Sequence, residues 1–232
     1  FDESLSLTGG LVWDAHGFEL NEARLAAGTS YIEADGFYGQ QWYADLELDI
    51  REPGWLAQRA GGSWVGHLEL DSRQDFPVLT ADLLGESVAL GDLSFGRLTL
   101  RLAEPDSASL FLEATDIKLN DSLIDTFSLQ LAADSSDEPS GDSGEAQRLT
   151  VSARQADWTL TASSRGTLSK SRSFAQTAWS GMLDAAQLHQ GEEPFLELQS
   201  GSPLEIGADR VALRDACFEL QTGGALCLSL EQ

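Results

Sequence analysis

The sequence predicts an all-β protein built on a long one-sided sheet. Within residues 61–102, apolar residues recur at every second position, with polar or charged residues between them. The three runs are Gly66/Leu68/Leu70, Leu93/Phe95 and Leu98/Leu100/Leu102. A period of two is typical of a strand with one buried and one solvated face. Because this alternation continues along most of the chain, we expect strands of one sheet rather than a mixture of strands and helices.

The clearest predicted strand is the segment 42–50. Its apolar positions are Trp42, Ala44, Leu46, Leu48 and Ile50, and the other face carries the carboxylates Asp45, Glu47 and Asp49. Burying such a row without partners would be costly, so that face must lie in water.

A phase slip is visible within the run 93–102. The apolar positions change parity between Phe95 and Leu98, at Gly96. An uncorrected slip would turn the rest of the strand inside out. The sequence therefore predicts a β-bulge at Gly96.

One short helix is predicted, from Pro53 to Ala60. Proline stands near its first turn, where a missing backbone N–H is harmless, and Gly61 and Gly62 follow its expected end. A helix of this length has about two turns at most.

Residues 133–147 show no alternation of apolar and polar residues. The segment ADSSDEPSGDSGEAQ is acidic and rich in Ser and Gly, which is typical of a solvated loop. Strand patterns stand on both sides of it. We therefore predict that residues 1–232 form a single elongated sheet segment with this loop inserted, rather than two domains joined by it.

The charge of the chain excludes several classes of partner. The 232 residues include 38 acidic and 14 basic side chains, a net charge of −24. Such a field repels nucleic-acid backbones and anionic bilayer surfaces. No apolar run is long enough for a transmembrane helix, and no signal segment opens the chain. Because it starts at Phe1 rather than Met, we expect a piece of a longer protein whose membrane anchor lies outside the piece.

The only two cysteines, Cys217 and Cys227, flank a turn signal at Gly223-Gly224. Both fall on the polar phase of the flanking strands, so a hairpin would place them opposite each other, where a disulfide can form. The alternative is two unrelated reduced thiols in a cytosolic protein. We favour the disulfide, which indicates an oxidising compartment.

Motifs for chemistry are weak. Gly141-Asp-Ser-Gly144 matches part of a serine-protease motif, but Glu145 stands where a further glycine is required. His16, His67 and His189 lack the spacing of metal ligands, and Asp134, Asp137 and Asp142 lack the pattern of a calcium loop. We predict no catalytic residue, no metal site and no cofactor, and therefore no enzyme.

Several motifs resemble a known family. They are the block G-x-W-x-G-x-L-x-L at Gly62 to Leu70, Pro77, the strand starts Leu84-Gly85 and Gly91-Asp92-Leu93, the block Trp179-Ser-Gly-Met-Leu183, and the closing Cys217 and Cys227 pair. In this order they resemble the periplasmic region of the TamB family, the translocation and assembly module component within the AsmA-like bridge-type lipid transfer proteins. The acidic loop is not part of that pattern.

The resemblance implies a fold and a function. The fold would be a long sheet rolled into a U-shaped, taco-like groove with an apolar interior. The function would be carriage of phospholipid between the inner and outer membranes, with a role in outer-membrane protein assembly through a TamA-like barrel partner that binds outside this segment. The location would be the periplasm of a Gram-negative bacterium, tethered to the inner membrane.

The candidate site is the apolar face, whose side chains would contact phospholipid acyl chains. We predict as groove-lining residues Trp42, Leu46, Leu48, Ile50, Leu68, Leu70, Leu98, Leu100, Leu102, Leu110, Leu112, Leu129 and Leu160.

Three alternatives remain open. The same leucines could be the closed core of a sandwich. The chain could be an extracellular β-solenoid adhesin or carbohydrate-active protein, although its glycine spacing has no fixed period. It could also be a periplasmic chaperone that binds client strands at a sheet edge.

Overall fold

A computed structural model describes residues 4–55, 60–72, 78–103, 109–120, 122–134, 146–169, 178–207 and 210–231. These residues are almost entirely β-structure. The strands are β1 (Leu5–Asp14), β2 (Gly17–Ala27), β3 (Ser30–Tyr38), β4 (Trp42–Ile50), β5 (Ala60–Asp71), β6 (Val78–Leu90), β7 (Leu93–Ala103), β8 (Ser109–Leu119), β9 (Ser122–Ala133), β10 (Gln147–Gln155), β11 (Trp158–Ser169), β12 (Ala178–Gln190), β13 (Glu193–Leu198), β14 (Ser202–Ile206), β15 (Val211–Leu220) and β16 (Ala225–Glu231). The predicted fold class, an all-β chain on one large sheet, is confirmed.

The sheet is an antiparallel meander. Each strand from β1 to β12 lies next to its neighbours in sequence. β13 and β14 together occupy one position, because both pair with β12 on one side and with β15 on the other. β16 pairs with the free side of β15. The registers between the described strands are antiparallel, whereas the rungs of a β-helix pair in parallel, so the fold does not favour a β-solenoid.

The chain forms two compact units. Unit 1 contains Phe1–Asp106 and Leu112–Leu123, and unit 2 contains Ser107–Phe111 and Ile124–Gln232.

The predicted helix is shorter than expected. The described part of it is a single 3₁₀ turn, Pro53–Trp55, and Ala60 already belongs to β5. Residues 56–59 lie outside the described residues. Ala60 is therefore a correction to the predicted helix: in the β5–β6 ladder it pairs with Leu90.

The predicted bulge at Gly96 is not seen in the β6–β7 ladder. The β6–β7 register continues unchanged past Gly96, from Gly85↔Leu98 to Val88↔Phe95. The register shift lies instead between β5 and β6, at Gly61 and Ser63. Ser87 of β6 has a positive φ of 51° there. A local irregularity of this kind changes the direction of the side chains that follow it. The change in apolar alternation that the sequence shows near Gly96 of β7 is therefore accommodated partly by the irregularity in the neighbouring strand β6.

The predicted loop 133–147 joins two strands of one hairpin. Ala133 at the end of β9 pairs with Gln147 at the start of β10, and the backbone N–H of Asp134 donates to the carbonyl oxygen of Ala146 at 2.8 Å. Residues 135–145 lie outside the described residues. The assignment of this segment as an insertion into a single domain stays a prediction.

Candidate functional site

One face of unit 1 is apolar across seven strands. Residues that pair directly across an antiparallel ladder point to the same side of the sheet. One such row crosses from β1 to β7 and consists of Leu7, Leu25, Ile32, Leu48, Gly66, Leu83 and Leu100. The next row consists of Ala23, Ala34, Leu46, Leu68, Ala81 and Leu102. The rows combine large and small side chains on a continuous surface.

The other predicted lining residues of β4, β5 and β7 lie on this face as well. Leu70 pairs with Ala44, and Ile50 pairs with Trp64. Leu98 pairs with Gly85, and Gly85 pairs in turn with Trp64 on its other side, so all three lie in one cross-strand row. Leu110 and Leu112 are half-buried on the same phase of β8 as the buried Ala114.

In unit 2 the apolar face has the same construction. Leu129 of β9 is aligned with Val151, Ala162 and Ala186 on the next three strands. Leu160 lies one row away, opposite Ala153 and Leu188. The structure thus places the two predicted lining residues of β9 and β11 on one surface.

Neither apolar face is sealed. Of the thirteen predicted lining residues, Ile50 is buried at 6 % exposure and Leu160 is 40 % exposed, and the rest are partly accessible. Among the described residues six of the eleven buried apolar positions are alanines, and the other five are Ile50, Val88, Leu131, Trp179 and Leu183. Most of the predicted lining leucines are therefore partly accessible, whereas several alanines are buried.

An apolar pocket of unit 1 lies where β4, β5 and β6 meet. It has a volume of about 240 Å³ and is lined by Leu48, Ile50, Pro53, Ala60, Trp64, Leu83 and Leu90. Leu48 and Ile50 were predicted lining residues. Trp64 and Leu83 continue the apolar phase of their strands, a signal that could have found them, whereas Leu90 reaches this face only after the irregularity at Ser87.

A polar pocket adjoins the apolar one and shares Pro53 and Ala60 with it. Its volume is about 510 Å³, and its charged lining residues are Arg51, Glu52 and Glu86. The Arg51 guanidinium is held by Asp49, with Nε to Oδ1 at 2.6 Å and Nη2 to Oδ2 at 2.9 Å. Glu86 is one residue out of phase with Gly85, the partner of Trp64, so the polar pocket includes a side chain from the face of the sheet opposite the apolar pocket.

Aromatic rings form a row on the apolar face of unit 1, at the end of the strands away from the apolar pocket. Trp13 stacks on Phe18 with ring centroids 5.9 Å apart, and Phe18 stacks on Tyr38 at 5.4 Å. Trp42, a predicted lining residue, pairs with Tyr38 in the β3–β4 ladder. Such rings provide broad apolar surfaces with a polar edge.

The outer face carries charge. One ladder of directly paired residues crosses six strands and consists of Arg24, Glu33, Glu47, His67, Asp82 and Arg101. Arg24 and Glu33 form an ion pair at 2.7 Å. The carboxylates that the sequence placed in water are on this face, one residue out of phase with the leucines.

Tyr31 titrates abnormally on this outer face. Its hydroxyl donates to Glu47 Oε1 at 3.1 Å. This hydrogen bond raises the pKa of Tyr31 above the usual 10.0, and desolvation and the charges of Glu47, Asp49 and Glu33 act in the same direction. A phenolate at this position would face carboxylates, so the neutral hydroxyl is favoured.

The predicted disulfide is present. Cys217 and Cys227 are bonded, with Cα atoms 4.0 Å apart, and they pair directly in the β15–β16 ladder. They lie on the face opposite the paired Phe218 and Leu226, as the strand phase predicted. The bond favours an oxidising location, periplasmic or extracellular.

The described ranges contain no group of three or more His, Cys, Asp or Glu side chains that could hold a metal ion. Within the same ranges, no helix is long and apolar enough to cross a membrane. The protease-like motif at 141–144 lies outside the described residues, as do Asp137 and Asp142.

Two of the three histidines have polar neighbours on the same strand face. His67 Nδ1 lies 3.5 Å from Asp45 Oδ1, and His189 Nε2 lies 3.5 Å from Gln187 Oε1.

The described strands form an antiparallel meander in which each unit has an apolar face, and the opposite face of unit 1 carries charge. No protein-family model matches the chain, and no curated protein or solved structure is significantly similar to it. Membership of the TamB family therefore stays a prediction that rests on the order of the motifs.

Proposed function

We propose that this chain is a segment of a periplasmic bridge-like protein that carries phospholipid between the inner and outer membranes. The apolar face of each unit holds acyl chains, and the charged face stays in water. The segment also contributes to outer-membrane protein assembly, and the inner-membrane anchor and the TamA-like barrel partner act through parts outside it. The chain guides lipid and performs no chemistry on it.

The observation that carries this proposal is the accessibility of the large apolar residues. In a closed sandwich the central leucines would be sealed between two layers. Here Leu46, Leu48, Leu68 and Leu100 stay partly accessible, while the alanines Ala81 and Ala114 are buried. Exposed contiguous apolar surface marks a binding site on a soluble protein, and acyl chains match its chemistry.

Photocrosslinking at adjacent residues of a strand tests this proposal, because adjacent residues point to opposite faces of the sheet. Photoreactive side chains are introduced at inner positions Leu46, Leu48, Leu100 and Leu112, and at adjacent outer positions Asp45, Glu47, Arg101 and Glu113. The protein is made in the bacterial periplasm and irradiated, and lipid adducts are identified by mass spectrometry. We expect phospholipid adducts at inner positions and at least tenfold fewer at outer ones, because neighbouring residues of a strand face opposite sides.

The absence of adducts at all four inner positions would contradict the proposal. Equal labelling at inner and outer positions would also contradict it, since that pattern indicates non-specific contact with lipid.

A second function, addition of a client strand to the sheet edge, is supported by β1. Within the described chain β1 pairs only with β2. Its residues from Leu5 to Trp13 carry no charge, and Leu7 and Trp13 are 75 % and 76 % exposed. Natural sheets usually protect a free edge with charges or proline.

A variant carrying Ser6→Lys and Thr8→Lys tests this second function. Both residues lie on the outer phase of β1, so the fold should be kept while strand addition is blocked. We expect amide exchange in β1 to slow when a client peptide of alternating Leu and Thr is added, and the variant to lose that protection. Unchanged exchange in the original protein would exclude this function.

A further inference from the structure

We propose that one end of unit 1 inserts into the interface of a zwitterionic phospholipid bilayer, through aromatic residues on both faces of strands β1 to β4. This aromatic end consists of Trp13, Phe18, Phe37, Tyr38, Trp42 and Tyr43. The inference goes beyond the carriage of lipid along the apolar face, because it concerns attachment of the protein to a bilayer surface.

The inner row of the aromatic end crosses four strands. Trp13 pairs with Phe18, Phe18 pairs with Tyr38, and Tyr38 pairs with Trp42. The first three rings stack on one another, with centroids 5.9 Å and 5.4 Å apart. Trp13 is nevertheless 76 % exposed and Tyr38 is 59 % exposed. The rings therefore support one another and still present a broad apolar surface to the surroundings.

The outer face changes character at the same end. Along most of β3 and β4 the outer phase carries charge, as where Asp35 stands opposite Asp45. Two residues closer to the hairpin turn, Phe37 stands opposite Tyr43 instead, and Phe37 is 40 % exposed. Apolar side chains on a face that is charged elsewhere indicate a surface for contact with an apolar medium.

The rest of this outer row is mixed. Its other members are Val12, Glu19, Asp71 and Val78, and Val12 is 55 % exposed. Apolar residues therefore outnumber the two carboxylates in the row, whereas the neighbouring outer row holds Asp35, Asp45 and Glu69.

A bilayer interface fits an end that is aromatic on both faces. A protein partner that packs on a sheet covers one face, whereas strand ends that enter a bilayer are surrounded on both. Tryptophan and tyrosine favour the headgroup level because their rings combine an apolar body with a polar edge. The aromatic end contains two of each.

The hairpin turns at the aromatic end offer no attraction to anionic lipid. They contain no Lys or Arg, and His16 is their only basic side chain. Oδ1 of Asp14 lies beside it and accepts a hydrogen bond from the backbone N–H of His16 at 2.7 Å. Because Glu19 and Asp71 lie in the outer row, an anionic surface is repelled. The surface that fits is therefore zwitterionic, and binding depends on burial of the rings.

Photocrosslinking at two outer positions of β3 tests the insertion. A photoreactive aromatic side chain replaces Phe37 in one variant and Glu33 in the other. Both positions have the same strand phase, and they lie about 13 Å apart along the strand. The protein is mixed with phosphatidylcholine vesicles and irradiated, and adducts are identified by mass spectrometry. We expect lipid adducts at residue 37 and roughly tenfold fewer at residue 33, because only residue 37 belongs to the aromatic end. Equal labelling, or none at residue 37, would overturn the inference.

Vesicle flotation tests the inner row. Trp13→Ala/Tyr38→Ala should lower the fraction bound to phosphatidylcholine vesicles roughly tenfold, because interfacial binding scales with buried apolar area. The matched control is Leu119→Ala/Leu123→Ala, which removes two exposed leucines at the β8–β9 hairpin of unit 1 and should leave binding unchanged. Circular dichroism of each variant confirms that it folds. Equal losses in the two double variants would overturn the assignment to the aromatic end.

Vesicles that contain phosphatidylglycerol test the choice of surface. At low salt they should bind the original protein more weakly than phosphatidylcholine vesicles do, since like charges repel. Equal or stronger binding would overturn the zwitterionic preference.

The outcomes separate this inference from the proposed function. Lipid adducts at the inner positions without vesicle flotation leave the proposed carriage of lipid intact and overturn the bilayer insertion. Flotation that depends on Trp13 and Tyr38, without adducts at Leu46, Leu48, Leu100 and Leu112, supports the insertion and contradicts the proposed carriage. Adducts at residue 37 that join two protein chains instead of lipid would identify a protein contact and overturn the insertion.

Discussion

The indole of Trp64 lies over Gly85, its direct partner in the β5–β6 ladder. A Cβ added at residue 85 would stand 3.3 Å from Trp64 Cε3 and 2.6 Å from Val88 Cγ2. Val88 is fully buried. The glycine therefore provides the space in which a tryptophan covers the neighbouring strand, next to the apolar pocket.

The substitution Gly85→Ala should destabilise the protein by about 1–3 kcal/mol, because the added methyl forces Trp64 and Val88 to move in a packed region. Thermal unfolding followed by tryptophan fluorescence measures the effect. The matched control is Gly10→Ala, since a Cβ there meets its nearest atom at 3.6 Å. The control should change stability by about 0.5 kcal/mol or less. Equal effects of the two substitutions would refute this account of Gly85.

A charge on the apolar face should be tolerated where the face is accessible. Leu100 is half-buried opposite Leu83, so Leu100→Asp should cost about 1–2 kcal/mol and leave the protein folded. Val88 is fully buried, so Val88→Asp should cost roughly 3–5 kcal/mol, because it buries an unpaired charge. Urea denaturation of both variants tests the difference. Unfolding of Leu100→Asp to the same extent as Val88→Asp would favour a closed core.

The disulfide should stabilise the β15–β16 hairpin. In the chain-entropy model, closing a loop of this size contributes about 3 kcal/mol. Replacing both cysteines by serine should lower the midpoint of denaturation accordingly, whereas reductant should have no effect on that variant. Intact mass without reductant tests the bond itself, and two alkylatable thiols in native protein made in an oxidising compartment would show that it does not form.

The segment 135–145 should be replaceable. Ala133 pairs with Gln147 directly, so the ladder of β9 and β10 does not depend on the length of the connection. The closure entropy changes by only about 0.6 kcal/mol for each twofold change in loop length. A short Gly/Ser linker should therefore leave the melting temperature within a few degrees, on the order expected for such small changes. A large fall would identify the segment as structural.

Stability should fall at alkaline pH through Tyr31. Its pKa in the folded state is raised above 10.0 by the hydrogen bond to Glu47, so the unfolded chain releases this proton first. The resulting contribution to stability is fully present below pH 10 and is lost as the pH rises through the folded-state pKa. Absorbance at the phenolate band follows the titration. Glu47→Ala should lower the pKa of Tyr31 toward 10, and Tyr31→Phe should remove the part of the transition that Tyr31, one of three tyrosines, contributes. An unchanged titration in Glu47→Ala would contradict the assignment.

Leu46 and Leu48 could be assigned to the apolar face from sequence, because side-chain direction in a strand is local. Successive residues of an extended chain point to opposite sides, whatever the rest of the fold does. The same rule placed Cys217 and Cys227 on the polar phase, and their bond follows once a glycine turn brings the two strands together. The predicted helix from Pro53 to Ala60 is corrected at Ala60 for the opposite reason: the local helix signal there is overridden by the long-range pairing of Ala60 with Leu90.

The apolar pocket could be found only from the tertiary structure. Ile50, Trp64 and Leu90 come from three strands, and they meet because the registers of the β4–β5 and β5–β6 ladders align them. Register depends on pairing between distant segments and on irregularities such as the one at Ser87, which alternation within a single strand does not reveal. Periodicity therefore determines which residues can share a face, and the long-range ladder decides which of them touch.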